Sequence, residues 1–201
     1  MESDTALCNL AISHLGSSSE IANVETERSK EAAACRRFLS DTKREAFRDL
    51  KPPFATVIET LSLVEEDPNS EWSFSYRYPT DCSFFLRILS GTRNDSRQSR
   101  VPYKVSKDDE GLLILTDKED AECEFVQFVD ETNLYPPDFG MAVSLLLASY
   151  IAPRVTGGDP FKMGDRALRV YNFSYNKAKN NAFNEQQDEQ PPESEFITAR
   201  G

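Results

Sequence analysis

The chain is poor in the residues that catalytic sites use most. Among its 201 residues there is one histidine, His14, and no serine or cysteine in a recognisable nucleophile context accompanies it. A proton-transfer role therefore loses to a packing or surface histidine on a helix. The four cysteines, Cys8, Cys35, Cys82 and Cys123, form no CxxC and no histidine pair, which argues against a zinc site. They read as reduced, mostly buried thiols of a protein made in the cytosol. Gly157-Gly158-Asp159-Pro160 lacks the GxxxxGK[ST] pattern of a phosphate loop, and Asp159 would repel phosphate, so it reads as a turn plus a helix cap. Asp117, Glu119, Asp120 and Glu122 lack the glycine-centred spacing of a calcium loop and read as a solvated turn.

Positive charge is also scarce. There are 23 Lys and Arg against 34 Asp and Glu, a net charge of −11. A duplex-DNA binder needs Lys and Arg to displace phosphate counterions, so the balance argues against a generic duplex-DNA binder without excluding DNA that passes nearby. Long apolar runs are missing: Met141 to Ala152 is too short to cross a bilayer. The start, Met1-Glu2-Ser3-Asp4, lacks the basic residues of a signal peptide. The expectation is a soluble protein synthesised in the cytoplasm, with no catalytic residue, cofactor, metal or membrane partner.

What is present is a foldable core. Hydrophobic residues make up 39% of the chain, enough for one sizeable domain. Ser3 or Asp4 can cap a first helix that Gly16 ends, with Leu7, Leu10, Ala11 and Leu15 at helical spacing. A second helix is predicted from Glu25 to Leu50. Its stripe is Ala32, Cys35, Phe38, Leu39, Thr42, Ala46 and Phe47, with Arg36, Arg37, Lys43 and Arg44 mostly off it. Pro52-Pro53 stops it. Trp72, Phe74, Tyr76 and Tyr78 alternate with polar residues and predict a strand whose aromatics are core or else form an inter-subunit or tail-facing surface, the core reading being favoured. Phe84 to Leu89, Tyr103 to Val105, Leu112 to Leu115 and Cys123 to Val129 supply further strand candidates, the middle two joined by an Asp108–Gly111 turn. The links are short, so a small antiparallel insertion of about four to six strands is expected.

Helical spacing returns after Pro136-Pro137. A helix capped by Asp138 and running to about Ile151 is apolar nearly all round, which predicts burial on most sides. A last helix follows Asp159-Pro160 to about Asn184, with Phe161, Ala167, Leu168, Tyr171, Tyr175, Ala178 and Ala182 as its apolar positions. The expected architecture is α+β, mainly α. It is a bundle of about four helices with a small antiparallel β-insertion and an extended C-terminal arm. Its parts are an N-terminal helical pair (1–53), a β-rich insertion (54–135), C-terminal helices (136–184) and an acidic arm (185–201), with one folded domain overall.

Two segments stand out as contact-makers. The arm carries Glu185, Asp188, Glu189, Glu193 and Glu195 around Pro191-Pro192, a composition that cannot fold alone. It then ends in Phe196-Ile197 and Arg200, an apolar anchor beyond an acidic tether. The polar stretch 91–100 with its flank holds Arg93, Arg97, Arg100 and Lys104. It reads as a loop that is solvated or that touches DNA or an acidic partner surface, and the net acidity of the chain favours the partner surface over DNA.

Four stretches carry a family resemblance. They are Ala6-Leu-Cys-Asn-Leu-Ala-Ile-Ser-His-Leu-Gly16; Ala32-Ala-Ala-Cys-Arg-Arg-Phe-Leu-Ser-Asp41 with Pro52-Pro53-Phe54-Ala55; Trp72-Ser-Phe-Ser-Tyr-Arg-Tyr-Pro-Thr-Asp-Cys82 with Leu86-Arg87-Ile88; and Ser194-Glu-Phe-Ile-Thr-Ala-Arg200. In this order they resemble the head–tail adaptor (connector) family of tailed phages, most closely the tail tubular protein A type of short-tailed phages. Phe54 and Phe196 stand where that family often has tryptophan. The resemblance implies a virion neck protein that forms a twelvefold ring. The arm would extend onto the portal protein, and the β-rich part would face a downstream tail or nozzle protein. DNA would pass through the channel without sequence-specific binding, and an acidic wall that repels DNA suits such a conduit. The rival expectation is a cellular protein-interaction module with an acidic recruitment tail. A hydrolase using Asp81 and Glu122 has no support in their spacing.

Overall fold

The computed structural model describes residues 3–91, 100–157 and 159–185. The elements run α1 (Asp4–His14), α2 (Lys30–Leu50), β1 (Thr56–Thr60), β2 (Leu63–Asn69), β3 (Trp72–Arg77), β4 (Cys82–Ile88), β5 (Tyr103–Lys107), β6 (Leu112–Thr116), β7 (Glu122–Gln127), α3 (Pro137–Val155) and α4 (Pro160–Glu185). The described residues fall into two compact units, 3–56 with 126–185, and 57–125.

This overturns the expected mainly helical bundle with a small insertion. Four helices stand beside seven strands in two antiparallel sheets, ordered β1-β7-β4 and β2-β3-β6-β5. The strands that escaped the sequence reading are β1 and β2, and both are sheet edges. Every residue of β2 except Pro68 is exposed, so Leu63-Val-Glu-Glu-Asp-Pro-Asn69 shows no alternation. An edge strand buries little, and hydrophobic period is the signal by which strands are read.

In the helical unit, Ser3 caps α1: its Oγ accepts from the Ala6 N–H at 3.1 Å. Helix α2 starts at Lys30, five residues later than the hydrophobic spacing suggests. Two local competitors explain the delay. Asn23 Oδ1 accepts from the N–H groups of Glu25 and Thr26, at 2.8 and 3.2 Å. Ser29 Oγ takes the Ala32 N–H at 3.2 Å and fixes the start. The Arg36 guanidinium then ties the preceding segment down by donating to the carbonyls of Val24, Glu25 and Glu27.

Helix α3 is the hub of this unit and packs against α1, α2 and α4. It opens with Pro137, so Asp138 sits within the first turn rather than at the cap, and it runs past Pro153 to Val155. Its burial follows from its composition: Val143, Leu147, Ala148, Ile151 and Ala152 are fully buried. Below it Phe47 is fully buried, with edge contacts to Phe128, Tyr135 and Phe139 at centroid distances of 5.4, 5.7 and 5.0 Å. Such burial stabilises by about 1.5–3 kcal/mol for a large apolar side chain, with about 0.5–1.5 kcal/mol more for a good aromatic pair. Asp159 caps α4, accepting the Lys162 N–H at 3.1 Å.

The β unit has its own core of Tyr76, Phe85, Ile88, Ile114, Cys123 and Phe125, with Phe74 and Tyr78 packed on it. The aromatic strand β3 thus supplies core. Strands β5 and β6 pair antiparallel from Tyr103↔Thr116 to Lys107↔Leu112. Their turn is held by Asp108 Oδ1, which accepts from the N–H groups of Glu110 and Gly111 at 2.9 and 2.7 Å.

Candidate interaction surfaces

The polar groups most suggestive of chemistry are engaged in structure. His14 Nε2 lies 3.3 Å from Ser144 Oγ, joining α1 to α3. Ser144 is fully buried and donates to the Met141 carbonyl at 2.8 Å, so it accepts from His14 and has no path to a substrate. Desolvation pulls the His14 imidazole below its ordinary value. Cys8, Cys35 and Cys123 are fully buried. Burial pushes Cys123 up to about 12, and burial with a hydrogen bond to Cys35 pushes Cys8 up as well. Cys8 and Cys123 are therefore poor nucleophiles, and Cys35, whose value the Cys8 hydrogen bond lowers, is closed off by its burial.

In the 117–122 turn, the Asp117 carboxylate is engaged by β3. Asp117 Oδ1 accepts from Ser73 N and Oγ at 2.9 and 3.2 Å. Among the described residues no group of three or more His, Cys, Asp or Glu is arranged to hold a metal ion. None of the described helices is long and apolar enough to cross a membrane.

Lys43, read in the sequence as lying off the apolar stripe of α2, is instead 1% exposed. Its ammonium meets Asp4 Oδ1 at 2.8 Å and Asp130 Oδ1 at 2.9 Å, and also donates to the Asp130 carbonyl at 2.9 Å. The Thr132 hydroxyl donates to the same Asp4 oxygen. This cluster fastens the start of α1 and the segment before α3 onto α2.

A small cleft of about 30 Å³ opens in the helical unit between Pro52, Pro53, Phe54, Pro136 and Phe139. At its rim Asp138 Oδ2 accepts from Asn181 Nδ2 at 3.1 Å. Ring and proline faces of this kind accept an apolar side chain and carry no acid–base pair.

The residues marked out as contact-makers are placed as follows. Glu185 is the last residue of α4. Asp188, Glu189, Glu193, Glu195, Phe196, Ile197 and Arg200 lie outside the described residues, as do Arg93 and Arg97. Arg100 and Lys104 are exposed, Lys104 on β5 opposite Leu115.

A surface that sequence reading missed lies on α4. Phe161 and Leu168, expected in the core, are 77% and 42% exposed, and Phe173 is 74% exposed. Lys162, Arg166, Arg169, Phe173 and Lys177 follow at spacings of four, three, four and four, so they form one exposed stripe. Ala167, Tyr171 and Ala178, on the opposite side of α4, are buried. The signal was present in the sequence as a basic period on a helix inside an acidic chain. In the β unit, Leu63, Val64, Val105 and Leu112 of the four-stranded sheet are also exposed, at 43–50%. Compared with known proteins, the chain matches no family model and no curated protein.

Proposed function

We propose that this protein is a non-enzymatic structural part of a virion, a head-to-tail adaptor that works as one subunit of a ring between portal and tail. The observation that carries the reading is apolar surface left in water on both units, Phe161 and Phe173 on α4 and Leu63, Val64, Val105 and Leu112 on the four-stranded sheet. Single exposed apolar residues are ordinary, but grouped ones mark contact surfaces. A ring subunit needs two different faces, because its head-to-tail contacts use a different patch on each side.

The four family-like stretches support the same reading. Three of them fall on α1, on α2 with the turn after it, and on β3 with β4. The net charge of −11 suits a channel wall that does not grip DNA. In this reading residues 185–201 bind the portal, with Phe196 and Ile197 as anchor, while a downstream tail component docks elsewhere on the ring.

The arm assignment is tested by deleting residues 185–201. The truncated chain is expected to keep its helical and sheet signals in circular dichroism and to lose co-sedimentation with portal rings from the same genome. Portal binding retained by the truncated chain contradicts the assignment. Small stable oligomers of the full chain with no portal binding point to the cellular interaction module instead.

A further inference from the structure

The exposed face of α4 has a composition unlike the rest of the chain. Between Pro160 and Glu185 there are five basic residues (Lys162, Arg166, Arg169, Lys177 and Lys179) and two acidic ones (Asp165 and Glu185), a net of +3. The chain as a whole is −11, so everything outside α4 is −14. Four of the five cations lie along the stripe with Phe173, and none of these four has an ion pair among the described residues. An apolar ring flanked by unpaired cations fits a partner that offers apolar contact beside carboxylates.

The β unit offers such a partner on β2. Leu63 and Val64 are 50% and 43% exposed and are followed directly by exposed Glu65, Glu66 and Asp67. No ion pair engages these carboxylates among the described residues. The backbone of β2 selects the kind of partner. Its pairing with β3 is irregular between Leu63 and Glu65 and again between Glu66 and Asn69, and Pro68 removes a donor. Those features block the addition of another strand. They leave side-chain docking, which a helix can provide.

We infer that the α4 stripe of one copy docks on the β2 edge of a second copy, with Phe173 against Leu63 and with Arg166 and Arg169 toward Glu66, which lies opposite Phe74 as Leu63 lies opposite Tyr76 and so shares its face. The two patches differ, so after one contact forms the pair keeps one of each unused, the strand edge on one copy and the helix on the other. Used one way between copies, such a contact is head-to-tail and propagates, closing into a ring where the rotation between neighbours fits. The inference rests on the adaptor reading for its biological setting, but its test does not involve a portal.

The test uses two full-length variants in low salt. One carries Arg166→Ser, Arg169→Ser and Phe173→Ser; the other carries Leu63→Ser and Glu66→Ser. Sedimentation velocity of the wild type is expected to show association that rises with concentration and weakens by about tenfold or more in high salt. Each variant alone, with an unchanged circular dichroism spectrum, is expected to stay monomeric. Mixed in equal amounts they are expected to form dimers and nothing larger, since one supplies the strand edge and the other the helix. A wild type that stays monomeric to its highest soluble concentration overturns the inference. So does either folded variant associating like the wild type, or a mixture that stays monomeric. Portal binding without this pairing overturns the inference and leaves the adaptor reading standing; pairing without portal binding does the reverse.

Discussion

Lys43 holds its ammonium between Asp4 and Asp130, 2.8 and 2.9 Å away, while its own side chain is 2% exposed. The pairing is lopsided, because Asp130 is 74% exposed and Asp4 is 35% exposed. The lysine has given up water and the carboxylates largely have not. Its removal leaves Asp4 and the Thr132 hydroxyl without the charge that gathers them. Lys43→Ala is expected to destabilise the helical unit by about 3 kcal/mol, the scale for breaking a buried pair. Asp130→Asn is expected to cost under about 1 kcal/mol, because that partner is solvated and Asp4 remains. Urea unfolding followed by circular dichroism measures both, and equal losses would contradict this assignment of weight.

His14 predicts a pH dependence. Burial lowers its folded value below the ordinary 6.5, so the folded state favours neutral imidazole. The sign follows: this contribution is fully present above pH 6.5 and is lost as the pH falls through the lowered value. Stability is expected to drop on going from neutral to mildly acidic buffer. His14→Gln, which keeps a donor toward Ser144, is expected to flatten that drop. Asp108 is held low by its Arg77 hydrogen bond, and Glu27 by bonds from Ser29 and from the Ala22 N–H. Those groups act in a separate and more acidic window, below the ordinary carboxylate range. An unchanged acid slope in His14→Gln would remove the histidine from the account.

The thiols should be silent in the native protein. Cys8, Cys35 and Cys123 are fully buried, and Cys82 is half-buried with its Sγ 3.3 Å from Tyr78 Oη. Burial also raises the Cys82 thiol. A colourless-to-coloured disulfide reagent at mildly alkaline pH is expected to titrate none of the four quickly, Cys82 first on long exposure, and all four in denaturant. Rapid native reaction of Cys123 would contradict its placement in the β core.

How much of this was legible beforehand depends on where each signal resides. Two of the three caps were readable because they are local: Ser3 and Asp159 hold the N–H groups that their positions suggested, while Asp138 falls inside the first turn of α3 because Pro137 opens that helix. The start of α2 was not, because Asn23 and Ser29 organise a turn inside an otherwise helical spacing. Lys43 looked like surface, and its burial depends on two carboxylates 39 residues before it and 87 residues after it in sequence. Phe161 and Leu168 fit an apolar helix pattern and are nonetheless exposed, since the pattern cannot say how wide a stripe the neighbouring helix covers. Strands β1 and β2 were invisible for the related reason that edges bury little. For the site, Arg100 is exposed and Lys104 lies exposed on strand β5 rather than in a loop, while the α4 stripe emerged only when the buried side of that helix was known.

The turn between β5 and β6 offers a stability check on the β unit alone. Gly111 has φ +152°, a backbone region that side chains rarely enter, and Asp108 bonds its N–H at 2.7 Å. Gly111→Ala is expected to cost about 1–3 kcal/mol through strain. Asp108→Ala also removes the 2.9 Å ion pair with Arg77 and is expected to lower the melting temperature. Heat denaturation followed by tryptophan fluorescence reads both, since Trp72 lies at the start of β3. An unaltered melting curve for Gly111→Ala would contradict the turn geometry.

The central claim, that the chain is a ring subunit seated on a portal, is tested most directly by electron microscopy of the purified protein mixed with portal rings from the same genome. The account predicts an added layer of density with the rotational symmetry of the portal, lost when residues 185–201 are deleted. Portal rings that stay bare at saturating concentrations of the intact, folded chain would contradict it.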